Sequence, residues 1–188
     1  MRLLAYVLTG LCLFNFACGK ERALERVKLA EKYIRPYERE AYILNDSIKV
    51  AKLRISKCIE SIDDGKEVRA NFKGETAHHF DSLIHVIRSG ADSIEPIAEQ
   101  SRLNLLFCQQ TLTRLERFKL RLKAGKADPD SAYAFAESVP GKADILNEKA
   151  AKIRKAFAPL YFRRLNACPE YEFYYYYAVE RYNQGYRN

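Results

Sequence analysis

The sequence predicts an all-α fold, a bundle of long, kinked antiparallel helices with a short connecting helix. Three observations support this prediction. Apolar residues recur at alternating spacings of three and four along most of the 188 residues, which is the period of one helix face. Turn residues are confined to a few short places, so the helices between them are long. Outside the C-terminal aromatic run, no segment alternates apolar and polar residues as a half-buried strand does.

The first helix is predicted from about residue 20 to residue 62. Its apolar seam extends over five heptads and is the strongest periodic signal in the chain. Pro36 lies inside this stretch and should kink the helix or split it. Gly65 should end it, because glycine adopts the left-handed closing conformation without strain. The seam consists of Val27, Ala30, Ile34, Tyr37, Ala41, Leu44, Ile48, Ala51, Ile55, Cys58 and Ile62.

A second helical tract is predicted over residues 66–123, with a break near Gly74 that leaves a short piece before it. Gly90 and Pro96 weaken the middle of this tract. It is either one long kinked helix or two helices, and in the second case Ser93 is a plausible N-cap.

The rest of the chain is predicted to form three further helices that are joined by short turns. Residues 125–130 form a turn, residues 131–138 a short helix, and residues 140–141 a second turn. A further helix should span residues 142–165. The last segment, residues 170–182, is predicted as a helix, although its aromatic run also suits a strand.

The amino terminus has the layout of a secretory signal. Arg2 gives a positive start, residues 3–17 are uncharged and mostly apolar, and the small residue Ala17 directly precedes Cys18. The segment resembles a bacterial lipoprotein signal with a relaxed box before the cysteine. The resemblance implies cleavage before Cys18, a diacylglycerol on its sulfur and acylation of the new amino terminus. It therefore implies a membrane anchor in the bacterial cell envelope. In enterobacterial lipoproteins, Asp directly after the lipidated cysteine favours inner-membrane retention. Gly19 stands at that position here, so the resemblance implies the outer membrane in a cell that has one.

This interpretation divides the chain into three parts. Residues 1–17 form the signal, residues 18–23 the lipidated cysteine and a short tether, and residues 24–188 a single helical-bundle domain. The alternatives are a plain secretory signal, a buried terminal helix or an uncleaved membrane anchor. For the last of these, the apolar run falls short of the roughly 18 residues needed.

The net charge of +8 favours anionic partners such as lipid headgroups or acidic polymers. Acidic residues are interspersed with the basic ones at helical spacing, which is also typical of a solvated helix face. Nucleic acid is not an expected partner, because no reading motif is present and export argues against it.

Three cysteines follow Cys18, namely Cys58, Cys108 and Cys168. An exported protein could pair two of them and leave the third as a thiol. The sequence does not choose the pair, and all three could equally be small buried apolar residues.

All three histidines lie in one stretch, which suggests a metal-binding alternative. On a helix, Glu75, His78, Asp81 and His85 share one face, and these are ligand types for a transition metal. Glu75 and His78 have the spacing of a di-iron bundle motif, but the second copy of that motif is absent. The simpler interpretation is a polar, exposed helix face, and no cofactor is expected.

Tyr171, Tyr174, Tyr175, Tyr176 and Tyr177 form the candidate partner-binding surface. Tyrosine buries a large area at low entropic cost and keeps a polar tip, so it is common in interfaces. Four consecutive tyrosines cannot all face one core. The alternative is a terminal helix that packs across the bundle with its hydroxyls in water.

No catalytic motif of the common enzyme classes is present, so no catalytic residue is expected. The functional hypothesis is a lipid-anchored, exported helical protein with a non-catalytic binding or scaffolding role toward a protein or an anionic component of the envelope. The alternatives are a metal-binding bundle and a self-assembling coiled-coil envelope protein.

Overall fold

A computed structural model describes the backbone of residues 2–70, 72–164 and 166–183, and the side chains of residues 19–65, 68–70, 72–161, 166–177 and 179–180. Throughout this described part the secondary structure is helical and contains no strand, so the all-α prediction is confirmed. The helices are α1 (Arg2–Asp64), α2 (Lys66–Arg69), α3 (Gly74–Lys123), α4 (Pro129–Glu137), α5 (Val139–Arg164) and α6 (Ala167–Asn183). The C-terminal aromatic run is therefore helix.

The chain divides into two compact units. Unit 1 comprises Met1–Tyr42 and Leu103–Lys149, and unit 2 comprises Ile43–Arg102 and Ala150–Asn188. Each unit has a hydrophobic core of its own.

In unit 1, α1 and α3 are antiparallel, since ion pairs join rising residue numbers on α1 to falling ones on α3. The ammonium of Lys119 lies 2.7 Å from both carboxylate oxygens of Glu31, and Arg35 lies 3.8 Å from Glu116. The seam residues of α1 in this unit pack against α3, α4 and the start of α5. The core includes Ala23, Val27, Ala30, Ile34, Cys108, Leu115, Leu122, Ala132, Ala136, Val139 and Leu146.

In unit 2, the same antiparallel order is visible between Lys52 and Glu95, whose charged groups are 2.5 Å apart, and between Asp63 and Arg88, at 2.9 Å. The core has two clusters. One joins α1, α3 and α5 through Leu44, Ile48, Ile55, Ile94, Ile153, Phe157 and Leu160. The other joins α1, α3 and α6 through Cys58, Ile62, Phe80, Leu83, Ile87, Ala167, Cys168 and Tyr171.

Both long helices are continuous where the sequence left a split open. Helix α1 continues through Pro36, and α3 continues through Gly90 and Pro96. A proline removes one backbone donor and disturbs a single turn, whereas the apolar seam is buried on both sides of it. Ser93 is consequently not an N-cap; its hydroxyl donates to the carbonyl of Ser89 at 2.7 Å.

The start of the body also differs from the sequence prediction. Residues 19–23, where a short tether was predicted, are helical in α1. Ala23 is buried because it extends the seam by one step, four residues before Val27.

The turns are set by glycine and by a capping aspartate. Gly74 and Gly125 adopt the left-handed backbone conformation, with φ of 61° and 66°, where glycine has no steric cost. The Asp128 side chain accepts hydrogen bonds from the backbone of Asp130 and Ser131, which starts α4 at Pro129, two residues earlier than predicted. The predicted second turn is wrong, since residues 140–141 lie in the first turn of α5, where proline is tolerated.

Candidate functional site

Helix α6, which carries the tyrosine run, is docked on unit 2 by one fully buried residue. The ring of Tyr171 stacks on Phe80 of α3, with ring centroids 4.9 Å apart and planes at 27°. Its hydroxyl donates to the carbonyl of Ser61 on α1 at 3.2 Å. Burial raises the pKa of this phenol to about 12, so it stays neutral and keeps its donor. Tyr171 thus ties α6 to both long helices.

Gly65 makes this docking possible through close approach rather than through its backbone conformation. A Cβ at this position would lie 2.7 Å from Cε2 of Tyr175 and 3.0 Å from the Tyr171 hydroxyl. The φ angle of Gly65 is not positive. The predicted helix end at this glycine is correct, but the left-handed conformation predicted for it is not observed, and the space that the two tyrosines occupy accounts for the absent side chain.

The first turn of α6 is held from its exposed side by His79 of α3. Its Nε2 lies 2.9 Å from Oε1 of Glu170, and its imidazole meets the edge of the Tyr174 ring at 5.3 Å between centroids. Pro169 and Glu170 suit the beginning of a helix, because proline needs no backbone donor there and the carboxylate complements the helix dipole. The helix is thereby fixed on two sides.

The outward face of α6 presents an apolar surface to solvent. Phe173, Tyr176 and Tyr177 are 67%, 68% and 46% exposed, and they occupy positions i, i+3 and i+4 of one helix face. We call these three residues the aromatic stripe. Glu172 and Glu180, both exposed, lie on the same side of the helix. Aromatic side chains with carboxylates beside them have the chemistry of a protein-binding surface with a polar rim.

The five tyrosines selected from the sequence are thus divided between three environments. Tyr171 is buried and cannot contact a partner, Tyr174 and Tyr175 are half-buried, and Tyr176 and Tyr177 are exposed. Phe173 was not among the site residues predicted from the sequence. Its position three residues before Tyr176 is the signal that would have included it. The side chain of Cys18, the predicted lipidation site, lies outside the described residues.

The face with the histidines does not gather a set of ligands. Glu75, His78, Asp81 and His85 are all exposed. The Asp81 carboxylate accepts two hydrogen bonds from the guanidinium of Arg69, and this pairing holds the pKa of Asp81 below its ordinary value. Within the described residues, no three His, Cys, Asp or Glu side chains are grouped as a metal site requires.

The seam that motivated the coiled-coil alternative is covered inside the chain. Ten of its eleven members are buried, and Tyr37 is partly buried against the core of unit 1. The periodicity of α1 is therefore accounted for by intramolecular packing in the two units.

A groove of about 700 Å³ in unit 1 was not found from the sequence. Leu29, Tyr33 and Pro36 of α1 line it together with Pro140 and Asn147 of α5. The three α1 residues recur at i, i+4 and i+7, and this second apolar stripe beside the main seam is the signal that could have revealed it.

Across the described helices, none contains a stretch that is both apolar enough and long enough to cross a membrane. No protein-family model, no curated protein and no solved structure significantly matches this chain.

Proposed function

We propose that the chain is an exported, lipid-anchored helical protein of the bacterial cell envelope with a non-catalytic role, and that it binds an envelope protein through the aromatic stripe of α6. The observation that carries the binding role is the exposure of Phe173, Tyr176 and Tyr177 on one face of a helix whose opposite face is firmly docked. Cys18, which directly follows the signal-like segment of residues 1–17, would carry the lipid anchor.

The chemistry around the stripe favours a protein partner over an anionic polymer or headgroup. Although the chain carries a net charge of +8, the exposed charged side chains that the structure describes on the stripe's side of α6 are the carboxylates of Glu172 and Glu180. These carboxylates would repel an anionic partner. A partner surface with an apolar pocket and neighbouring Lys or Arg side chains would complement both features.

Site-specific crosslinking in the envelope of the native host tests the contact. A photoreactive amino acid at Tyr176 should give a discrete adduct with one protein, whereas the same group at Tyr42, an exposed tyrosine of α1 in unit 1, should not. With the partner identified, the double variant Phe173→Ser/Tyr176→Ser should bind it at least about tenfold more weakly, as expected for aromatic anchors of an interface. Tyr42→Ser is the matched control. Equal crosslinking at both positions, or unchanged affinity of the double variant, would refute the assignment.

The anchor is tested independently by the intact mass of protein from host membranes, beside a Cys18→Ala form. A species that begins at Cys18 with added acyl mass, absent from the variant, supports the proposal. An unmodified chain that retains Met1 would overturn the location and the anchor.

A further inference from the structure

Two cysteines from distant parts of the sequence meet in the core of unit 2. Cys58 lies on α1 and Cys168 lies in the first turn of α6, and both are buried in the same cluster. Each thiol shifts the pKa of the other, so the two side chains lie within interaction range of each other. Cys108 provides a contrast, because it is buried in the core of unit 1, which includes no other cysteine among its described residues.

We propose that Cys58 and Cys168 form a disulfide once the chain is in an oxidising compartment, and that this bond fixes α6 and its aromatic stripe to α1. The supply of oxidant rests on the proposed export of the protein. The choice of pair rests on the packing alone, and it goes beyond what the number and spacing of the cysteines could decide.

The position of the pair explains why a covalent bond is useful there. Helix α6 is the last of the described helices, and it is held by Tyr171, by Ala167 and by the contacts of His79. The two thiols share one buried cluster and interact with each other, so the fold already brings together the two residues that the disulfide would join. A bond at this point closes a ring from residue 58 to residue 168 and restricts the unfolded chain over that length.

The oxidation proceeds by thiol–disulfide exchange with a disulfide-containing oxidant, such as an oxidoreductase or oxidised glutathione. Cys168 is the first nucleophile, because its interaction with Cys58 lowers the pKa of its thiol. It lies in the first turn of α6, so local opening of this helix end exposes it to the oxidant. The interaction with Cys168 and burial both raise the pKa of the Cys58 thiol.

In the first step, the Cys168 thiolate attacks one sulfur of the oxidant, the sulfur–sulfur bond of the oxidant breaks, and one thiolate leaves. In the second step, Cys58 loses its proton to water and its sulfur attacks Cys168 Sγ, which expels the second thiolate. Two thiols of the protein are oxidised, and the oxidant leaves as two thiols after taking up two protons.

Peptide mapping of the purified full-length protein tests the pairing directly. The protein is equilibrated with oxidised glutathione, alkylated and digested with trypsin. The expected product is residues 58–66 linked to residues 165–181, with Cys108 recovered alkylated in residues 103–114. Dithiothreitol should abolish the link. Cys108→Ser should retain it, and Cys58→Ser should lose it. The oxidised protein should melt at a higher temperature than the reduced protein in the wild type and in Cys108→Ser, but not in Cys58→Ser.

Alkylated Cys58 and Cys168 after equilibration, or a link from either to Cys12, Cys18 or Cys108, would overturn the inference. The same mapping on protein trapped with acid in the host separates this inference from the proposed function. A link that forms with glutathione but is absent in cells would leave the pairing intact and count against export.

Discussion

Replacing Tyr171 with Ala should destabilise unit 2 by about 3–5 kcal/mol, because this side chain is the main docking contact of α6. A buried tyrosine removes about 200 Å² from water, which corresponds to about 5 kcal/mol at 25 cal/mol per Å². The unfolded chain already buries part of this surface, which lowers the free-energy difference by roughly 10–40%. The lost stacking on Phe80 acts in the opposite direction. The tyrosine is fully buried, so no solvent exposure reduces the effect.

Tyr171→Phe separates the hydroxyl from the ring. The hydroxyl donates to the carbonyl of Ser61 at 3.2 Å, and that carbonyl also accepts the backbone N–H of Gly65 at 3.0 Å. Since the acceptor keeps a partner, the loss should be at the low end of a neutral hydrogen bond, about 0.5 kcal/mol.

Guanidinium chloride unfolding, followed by far-ultraviolet circular dichroism, gives these free energies. Hydrogen exchange of the α6 amides reports whether the helix has undocked. Tyr176→Ala is the matched control on the same helix, and as an exposed residue it should change the free energy of unfolding by no more than about 0.5 kcal/mol. If Tyr171→Ala is as mild as Tyr176→Ala, then α6 is not docked through Tyr171 and the reasoning is refuted.

Three further predictions concern packing and charge. Gly65→Ala should cost about 1–3 kcal/mol by overpacking, whereas Gly141→Ala, with no atom within 4 Å of the new Cβ, should be neutral or stabilising; equal denaturation midpoints would contradict this. Lys119→Met should cost about 2–3 kcal/mol, because it leaves the buried Glu31 carboxylate unpaired while Lys119 itself is partly exposed, and adding Glu31→Leu should restore most of the loss in a double-mutant cycle. Hydrogen bonds at the start of α4 lower the pKa of Asp128, so its capping contribution is present above about pH 4 and is lost as the pH falls below it. Asp128→Asn should therefore have a smaller drop in melting temperature from pH 7 to pH 3 than the wild type, and an identical drop would exclude the charged cap.

The long helices were predictable because their signal is local. The seam of α1 specifies its buried face at every step from Val27 to Ile62, and the structure buries that face. Of the two alternatives for the second tract, the continuous helix through Gly90 and Pro96 is the one observed, and Pro36 does not split α1. Helix propensity is a weak local preference. The free energy gained by burying the apolar face on both sides of the glycine or proline is larger than the local cost of these residues.

The environment of each tyrosine was not predictable in the same way. In a run of aromatic residues every position fits a core, so periodicity gives no contrast between Tyr171 and Tyr176. The distinction comes from Phe80, Ser61 and Gly65, which are far away in the sequence and near in space. The same holds for the cysteines, because the contact between Cys58 and Cys168 exists only after α6 returns to α1.

The two faces of α6 make stability and binding separable in a single helix. The aromatic stripe offers partner contacts only while the opposite face is docked, so the position of Tyr171 and the proposed disulfide act on binding through the population of docked helix. A variant that undocks α6 should weaken binding together with the free energy of unfolding, whereas a stripe variant should weaken binding alone. Reducing the disulfide should act like a variant that undocks α6 and weaken both binding and stability. The loss of binding should be largest in Tyr171→Phe, where docking is already weakened. A binding loss in Tyr176→Ser that scaled with lost stability would mean that the stripe is a packing surface and not a contact surface.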